Sequence, residues 1–132
     1  LSLLADKKNI TLSTTGNSTI TGSDTLIYQM IYNLVENAIK YNKQDGSVSI
    51  NINSDDKYTY IQVKDTGNGI PKEYQEIIFQ PFFRIDKSRN RQFGGVGLGL
   101  ALVYEIAKLH KASVYVKDSN PNGTTIEVKM ER

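Results

Sequence analysis

The side chains best suited to chemistry fall in four places along the chain. In the first, Asn33, Asn37 and Lys40 recur at three- to four-residue spacing within a run of helical apolar period. At about 100° per residue they share one narrow stripe, flanked by Glu36 and opposite Ile31, Val35 and Ala38. An amide oxygen is a hard, neutral donor suited to Mg²⁺, and a lysine one turn away suits a phosphate. A merely solvated polar face is the alternative, although two asparagines one turn apart are unusual there, because asparagine is a mediocre helix former. The second place is Asp65-Thr66-Gly67-Asn68-Gly69-Ile70, directly after a strand-like run. An aspartate at a strand end is a fixed acceptor. It can take the exocyclic amino group of adenine, where guanine offers an acceptor instead. Gly67 and Gly69 let the backbone approach a flat base, and an ordinary glycine turn is the competing reading.

The third place is Gly94-Gly95-Val96-Gly97-Leu98-Gly99, opening a second helix. No Gly-Lys-Ser/Thr follows, so it is not a Walker A loop. It also lacks the preceding strand of a dinucleotide fingerprint. What remains is a glycine loop whose backbone N–H groups at a helix start form an anion site. The fourth place is Phe79-Gln80-Pro81-Phe82-Phe83-Arg84, continued by Lys87, Arg89 and Arg91. At least two of the phenylalanines read as core, and the basic run as solvated surface or as a cationic cover over a phosphate site.

The elements that must position these groups can be read from period and punctuation. Ile10 to Thr15 alternates as a strand, and Ser18 to Thr21 is a second short extended piece. Ser23 is a good N-cap, and a long helix is expected from there through Tyr41, with Leu26, Ile27, Met30, Ile31, Leu34, Val35, Ala38 and Ile39 at helical spacing. Val48, Ile50 and Ile52 form one strand face, and Thr59, Ile61 and Val63 the next, so the two should pair across the Ser54–Lys57 turn. A short helical piece is expected around Glu73 to Phe79 and a long helix from about Leu98 to Leu109. A closing hairpin should join Ser113–Lys117 to Thr124–Met130 through Asn120-Pro121-Asn122-Gly123. The expected class is α+β, with a mostly antiparallel sheet and helices on one face.

Composition limits the rest. The 132 residues suit one domain and one core, with 39% apolar and 23% charged residues. Sixteen Lys and Arg against fourteen Asp and Glu leave a formal charge of only +2, which gives no support to a nucleic-acid or membrane-surface role. With no cysteine and a single histidine, His110, disulfides, thiolate sites and histidine-rich metal sites are excluded. No stretch approaches the roughly 18 apolar residues of a membrane span.

Taken in order, the four places resemble the boxes of the ATP-binding catalytic domain of bacterial sensor histidine kinases. Asn33 to Tyr41 looks like the N box, Asp65 to Ile70 the G1 box, Phe79 to Arg84 the F box and Gly95 to Leu100 the G2 box, with Gly123-Thr124-Thr125 similar to a last, weaker glycine box. The resemblance implies a Bergerat fold, a two-layer α/β sandwich with a sheet of about five strands, three helices on one face and a glycine-rich ATP lid. It implies ATP and Mg²⁺ as cofactors. By position, Asp65 binds the adenine amino group with Thr124 helping through water, and Gly67, Gly69 and Ile70 line the nucleotide. Asn37 ligates the metal, and Asn33 holds the metal's water or a phosphate. Lys40 and Arg84 contact phosphates, and Tyr41 the sugar or base side. Gly95, Val96, Gly97, Leu98 and Gly99 form the phosphate end of the lid. Asn33, Lys40 and Arg84 are the candidates for catalysis.

The resemblance also implies partners. Residues 1–132 read as the catalytic domain alone, with the phosphoacceptor histidine on a dimerisation domain upstream of Leu1, a cognate response regulator, a homodimeric parent and a monomeric isolated domain. The domain is expected in the cytoplasm, on a membrane-anchored parent. Three positions depart from the common pattern: His110-Lys111-Ala112 stands in place of His-Gly-Gly, Phe83 where tyrosine is frequent, and Gln80 where glutamate is frequent. In the wider superfamily a glutamate that activates water stands where Asn33 stands here, and a neutral amide is a poor general base. That favours phosphoryl transfer to a protein side chain over hydrolysis. A nucleotide-binding scaffold without turnover and a serine kinase acting on a partner protein are the alternatives.

Overall fold

The computed structural model describes residues 11–16, 24–80 and 99–131. Among the described residues, five strands form one sheet in the order β1-β2-β3-β5-β4, with β1 Thr11–Gly16, β2 Ser47–Ser54, β3 Tyr58–Asp65, β4 Ala112–Asn120 and β5 Gly123–Glu131. The α-helices α1 Asp24–Lys40 and α2 Gly99–Leu109 cover one face.

The β2–β3 hairpin has the expected register: Ile50 lies opposite Val63, Ile52 opposite Ile61 and Ser54 opposite Thr59. Period two then puts these apolar residues on one face, over the helices. β1 runs parallel to β2. A parallel pair needs a crossover, and α1 supplies it. The closing hairpin extends beyond expectation, up to the two-residue turn Pro121-Asn122. Asp24 and Lys40 bound α1, and the expected Ser23 cap and the Ser18–Thr21 piece lie outside the described residues.

The third helical segment is a single 3-10 turn, Lys72–Tyr74. The chain then continues in turns: Ile77 and Ile78 both donate their N–H to the Tyr74 carbonyl, and Gln80 donates to Ile77. Ile78 and Phe79 are buried, so Phe79 is a core residue as expected.

The core sits between sheet and helices. Met30, Leu34 and Ile39 of α1, Val103 and Ile106 of α2, and Val48, Ile61 and Val128 of the sheet are all under 2% exposed. Complete burial of a side chain of this size contributes roughly 1.5–3 kcal/mol, so α1 is held by its apolar stripe and its polar stripe is left for other work.

α2 ends with His110 N–H donating to the carbonyls of Ile106 and Ala107. Lys111 follows at φ 55°, the left-handed conformation that commonly ends a helix and favours glycine. The departure from His-Gly-Gly is therefore felt at this one residue.

Candidate functional site

The site is built at one end of the sheet, where β3 ends, β5 begins and α1 stops. Asp65 is the last residue of β3 and lies opposite Thr124 of β5. Its Oδ1 accepts two backbone hydrogen bonds, from Gly67 N–H at 2.9 Å and from Thr124 N–H at 3.2 Å. Both donors reach Oδ1, and Oδ2 takes part in neither bond. Burial pushes the Asp65 carboxyl above the usual aspartate range, and the two backbone N–H groups offset this only in part. Gly123 packs its Cα against the Asp65 carbonyl so closely that a Cβ would collide with it. The hairpin turn can therefore abut the strand end only with glycine there.

The helix end is fastened to the same loop. A Cβ on Gly67 would lie 2.7 Å from the Tyr41 carbonyl oxygen, so the glycine loop runs directly against the residue after α1. Asn42 pins the junction and is only 7% exposed. Its Nδ2 donates to the Ser47 carbonyl at 2.9 Å, and its Oδ1 accepts from Lys43 N–H at 2.9 Å and from the Thr66 hydroxyl at 3.0 Å. Thr66 Oγ1 in turn accepts from Ser47 N–H at 2.8 Å. One buried amide thus ties the end of α1, the start of β2 and the loop after Asp65. The sequence reading did not single out Asn42. Its signal was an asparagine just past a helix end and before the Asp45-Gly46 turn, a place where such side chains bond the backbone.

On α1, Asn33 is buried, Asn37 and Lys40 are half-buried, and Tyr41 is 43% exposed. Asn33 Oδ1 accepts from Gln29 Nε2 at 3.0 Å, one turn back. The stripe is therefore not a solvated face at Asn33, since a buried amide needs partners. Lys40 Nζ lies 3.7 Å from Glu36 Oε1, a half-exposed i,i+4 pair worth a few tenths of a kcal/mol.

Among the described residues no group of three or more His, Cys, Asp or Glu is placed to hold a metal. Mg²⁺ is commonly bound through one or two protein ligands plus substrate phosphates. The neutral amides of Asn33 and Asn37 fit a metal that arrives with the phosphates.

Gly69 (φ 86°) and Ile70 continue the loop towards the hairpin turn, and Thr124 is buried at the base of that turn. Gly99 opens α2 and is exposed. Arg84, Gly95, Val96, Gly97 and Leu98 lie outside the described residues. The structure thus brings Asp65, Gly67, Gly69, Ile70 and Thr124 together and joins them to the end of α1. A cleft of about 700 Å³ between residues 68–72 and 117–121 shares Gly69 and Ile70 with this set and contains neither Asp65 nor the α1 asparagines.

Fold and site define an α+β domain whose polar groups gather at one end of the sheet. Residues 22–132 match the family of histidine kinase-, DNA gyrase B-, and HSP90-like ATPases, and the chain belongs to that family. It is 43% identical over 112 residues, 85% of its length, to the sensor protein CiaH of Streptococcus pneumoniae. It is 42% identical over 102 residues, 76% of its length, to the sensor histidine kinase WalK of Bacillus subtilis. The chain spans 25% of the first relative and 17% of the second. Among solved structures it is similar to full-length ShkA in complex with AMPPNP, with TM-score 0.84 and 25% identity over 98% of this chain and 27% of that one.

Proposed function

We propose that the chain binds Mg-ATP and transfers the γ-phosphate to a histidine on a separate helical dimerisation domain of the same sensor protein, in two-component signalling. The observation that carries this reading is Asp65, a half-buried carboxylate held by two backbone N–H groups beside the end of a helix bearing Asn33, Asn37 and Lys40. The nucleotide analogue bound by ShkA supports it. Asp65 accepts from the adenine amino group, and Thr124 assists. Asn37 and Asn33 meet the metal and its water, and Tyr41 flanks the sugar. Lys40, with Arg84 and the Gly95–Gly99 loop, neutralises the phosphates. Catalysis is then positioning and charge neutralisation.

Transfer to a protein is favoured over hydrolysis by Asn33. It is buried, its amide is engaged by Gln29, and it cannot take a proton from water. The partners are the parent's own phosphoacceptor domain and a cognate response regulator, on a homodimeric, membrane-anchored parent with this domain in the cytoplasm. Among the described residues no helix is long and apolar enough to cross a membrane.

The test is to join this chain to its upstream helical hairpin and supply labelled ATP with Mg²⁺. Acid-labile label on the hairpin supports the reading. Free phosphate without protein label points to a hydrolase, acid-stable label on an added protein to a serine kinase, and nucleotide binding without either product to a scaffold.

A further inference from the structure

The end of β4 carries a side chain that no box of the sequence contains. Val114 lies opposite Val128 and Val116 opposite Ile126, so β4 keeps its even residues on the helix side as far as Val116. A register shift then falls between Val116 and Asp118: Asp118 lies opposite Thr125 and Ser119 opposite Thr124. An unbroken ladder would set Asp118 opposite Thr124. The bulge re-aims the strand, so a neutral hydroxyl faces Thr124 where a second carboxylate would otherwise stand beside Asp65. Two neighbouring carboxylates would raise each other's pKa and repel phosphate.

Ser119 Oγ accepts from the Ile70 N–H at 2.7 Å and lies 2.8 Å from Thr124 Oγ1. Thr124 N–H reaches Asp65 Oδ1. One hydroxyl therefore links the far end of the glycine loop to the threonine that braces the aspartate. We propose that Ser119 is a positioning residue for the base end of the nucleotide site, fixing the Ile70 backbone and orienting the Thr124 hydroxyl. When Ser119 gives its proton to Thr124 Oγ1, the Thr124 proton is directed outward as a donor. Adenine presents a donor at its amino group and an acceptor at N1, which an Asp65 acceptor and a Thr124 donor match, directly or through one water. Guanine presents the reverse pair and is opposed at both positions. The inference rests on the reading of Asp65 as the adenine contact.

The test compares wild type, Ser119→Ala and Ser119→Thr by calorimetry with Mg-ATP, Mg-GTP and adenosine, after a thermal melt has established that each variant is folded. Ser119→Ala is expected to weaken ATP and adenosine by the same factor, about three- to tenfold, the change expected from one lost hydrogen bond. It should narrow the preference for ATP over GTP by a similar factor, and Ser119→Thr should restore both. A merely structural role would weaken ATP and GTP alike. That outcome overturns the proposal, as does a loss seen with ATP and not with adenosine. If wild type itself shows no preference for ATP over GTP, the adenine reading fails and this inference falls with it. A wild-type preference left whole in a folded Ser119→Ala variant overturns the positioning role alone.

Discussion

Asp65 and Thr124 face each other across β3 and β5, and the Thr124 backbone N–H donates to Asp65 Oδ1 at 3.2 Å. That pairing fixes which carboxylate oxygen is used internally. Asparagine at this position can keep its oxygen on the Gly67 and Thr124 N–H groups and then turns its amide nitrogen towards the base, donor against donor. Asp65→Asn should stay folded and lose about 1–3 kcal/mol of ATP affinity. Calorimetry with ATP and GTP decides it: an unchanged variant, or a wild type that does not distinguish the two nucleotides, rejects the assignment.

The same carboxyl predicts a pH dependence. Burial raises its pKa above the ordinary 3.8, against the backbone hydrogen bonds. A raised carboxyl pKa stabilises the folded chain while the group is protonated, and this contribution is lost as pH rises from 3.8 through the folded value. In the proposed role Asp65 accepts from the base in its ionised form, so ATP affinity should fall as pH drops through the same window. Binding within that window should release a proton. Titrations in two buffers of different ionisation enthalpy would reveal the release, and Asp65→Asn should lower it to what adenine N1 alone sheds in that range.

The apolar helix stripe, the β2–β3 register and the aspartate at a strand end were legible because each follows from a local period or a local boundary. Ser119 was not, because a bulge changes strand parity and leaves no period-two trace: Val114 and Val116 point one way and the next helix-facing residue is three positions on. Asn42 was hidden for a related reason, since the Ser47 carbonyl and the Thr66 hydroxyl that it bonds come from two other segments of the chain. The third helical piece came out shorter than its apolar residues suggested. Ile78 and Phe79 are core residues, and burial alone produced an apolar spacing there that turns can also satisfy.

Glu127 is a further case that alternation misreads. It lies on the sheet face opposite the helices, where a charged residue reads as solvated, yet it is 4% exposed. Gln62 Nε2 donates to it at 2.7 Å, the Tyr115 hydroxyl donates to it, and Lys117 Nζ lies 3.5 Å away. Burial pushes its carboxyl up, but the hydrogen bonds from Tyr115 and Gln62 and the Lys117 ammonium outweigh this and hold it below the usual glutamate range. Its stabilisation is therefore present above 4.5 and lost as pH falls through its lower folded pKa. Glu127→Ala leaves two donors without their acceptor and should cost about 2–3 kcal/mol in urea unfolding at neutral pH. That deficit should shrink in acid; one that persists unchanged would argue against an ionised Glu127.

Lys111 at φ 55° offers a stabilising substitution. A non-glycine residue pays roughly 1–2 kcal/mol in the left-handed region, and glycine's greater freedom in the unfolded chain returns part of that. Lys111→Gly should raise stability by about 0.5–1 kcal/mol, read as a higher urea midpoint at constant slope. Since the residue lies at the opposite end of α2 from Gly99, nucleotide affinity should not change.

His110 is the only histidine in the chain, which makes it the obvious residue to suspect of accepting phosphate, and its position argues against that role. It follows the last residue of α2, a helix that begins at Gly99. At 1.5 Å per residue it lies roughly 16 Å along the axis from the glycine-rich start where the phosphates are proposed to sit. In-line transfer needs the attacking nitrogen within about 3–3.5 Å of phosphorus, and Val103, Ile106 and Ala107 hold the helix in the core. The ring is also engaged. Nδ1 lies 2.9 Å from the Ile106 carbonyl oxygen, and a carbonyl only accepts, so Nδ1 carries the proton and the imidazole serves to satisfy a helix-end carbonyl. The next residue, Lys111, is a cation in a left-handed turn and supplies no carboxylate to orient the ring or take up its proton. The isolated chain should therefore gain essentially no acid-labile phosphate from labelled ATP, while the attached upstream hairpin becomes labelled. His110→Gln should leave the labelling of the hairpin unchanged and lower stability by about 0.5–1.5 kcal/mol through the lost carbonyl contact. Acid-labile label on the isolated chain that disappears in His110→Gln would reverse the assignment.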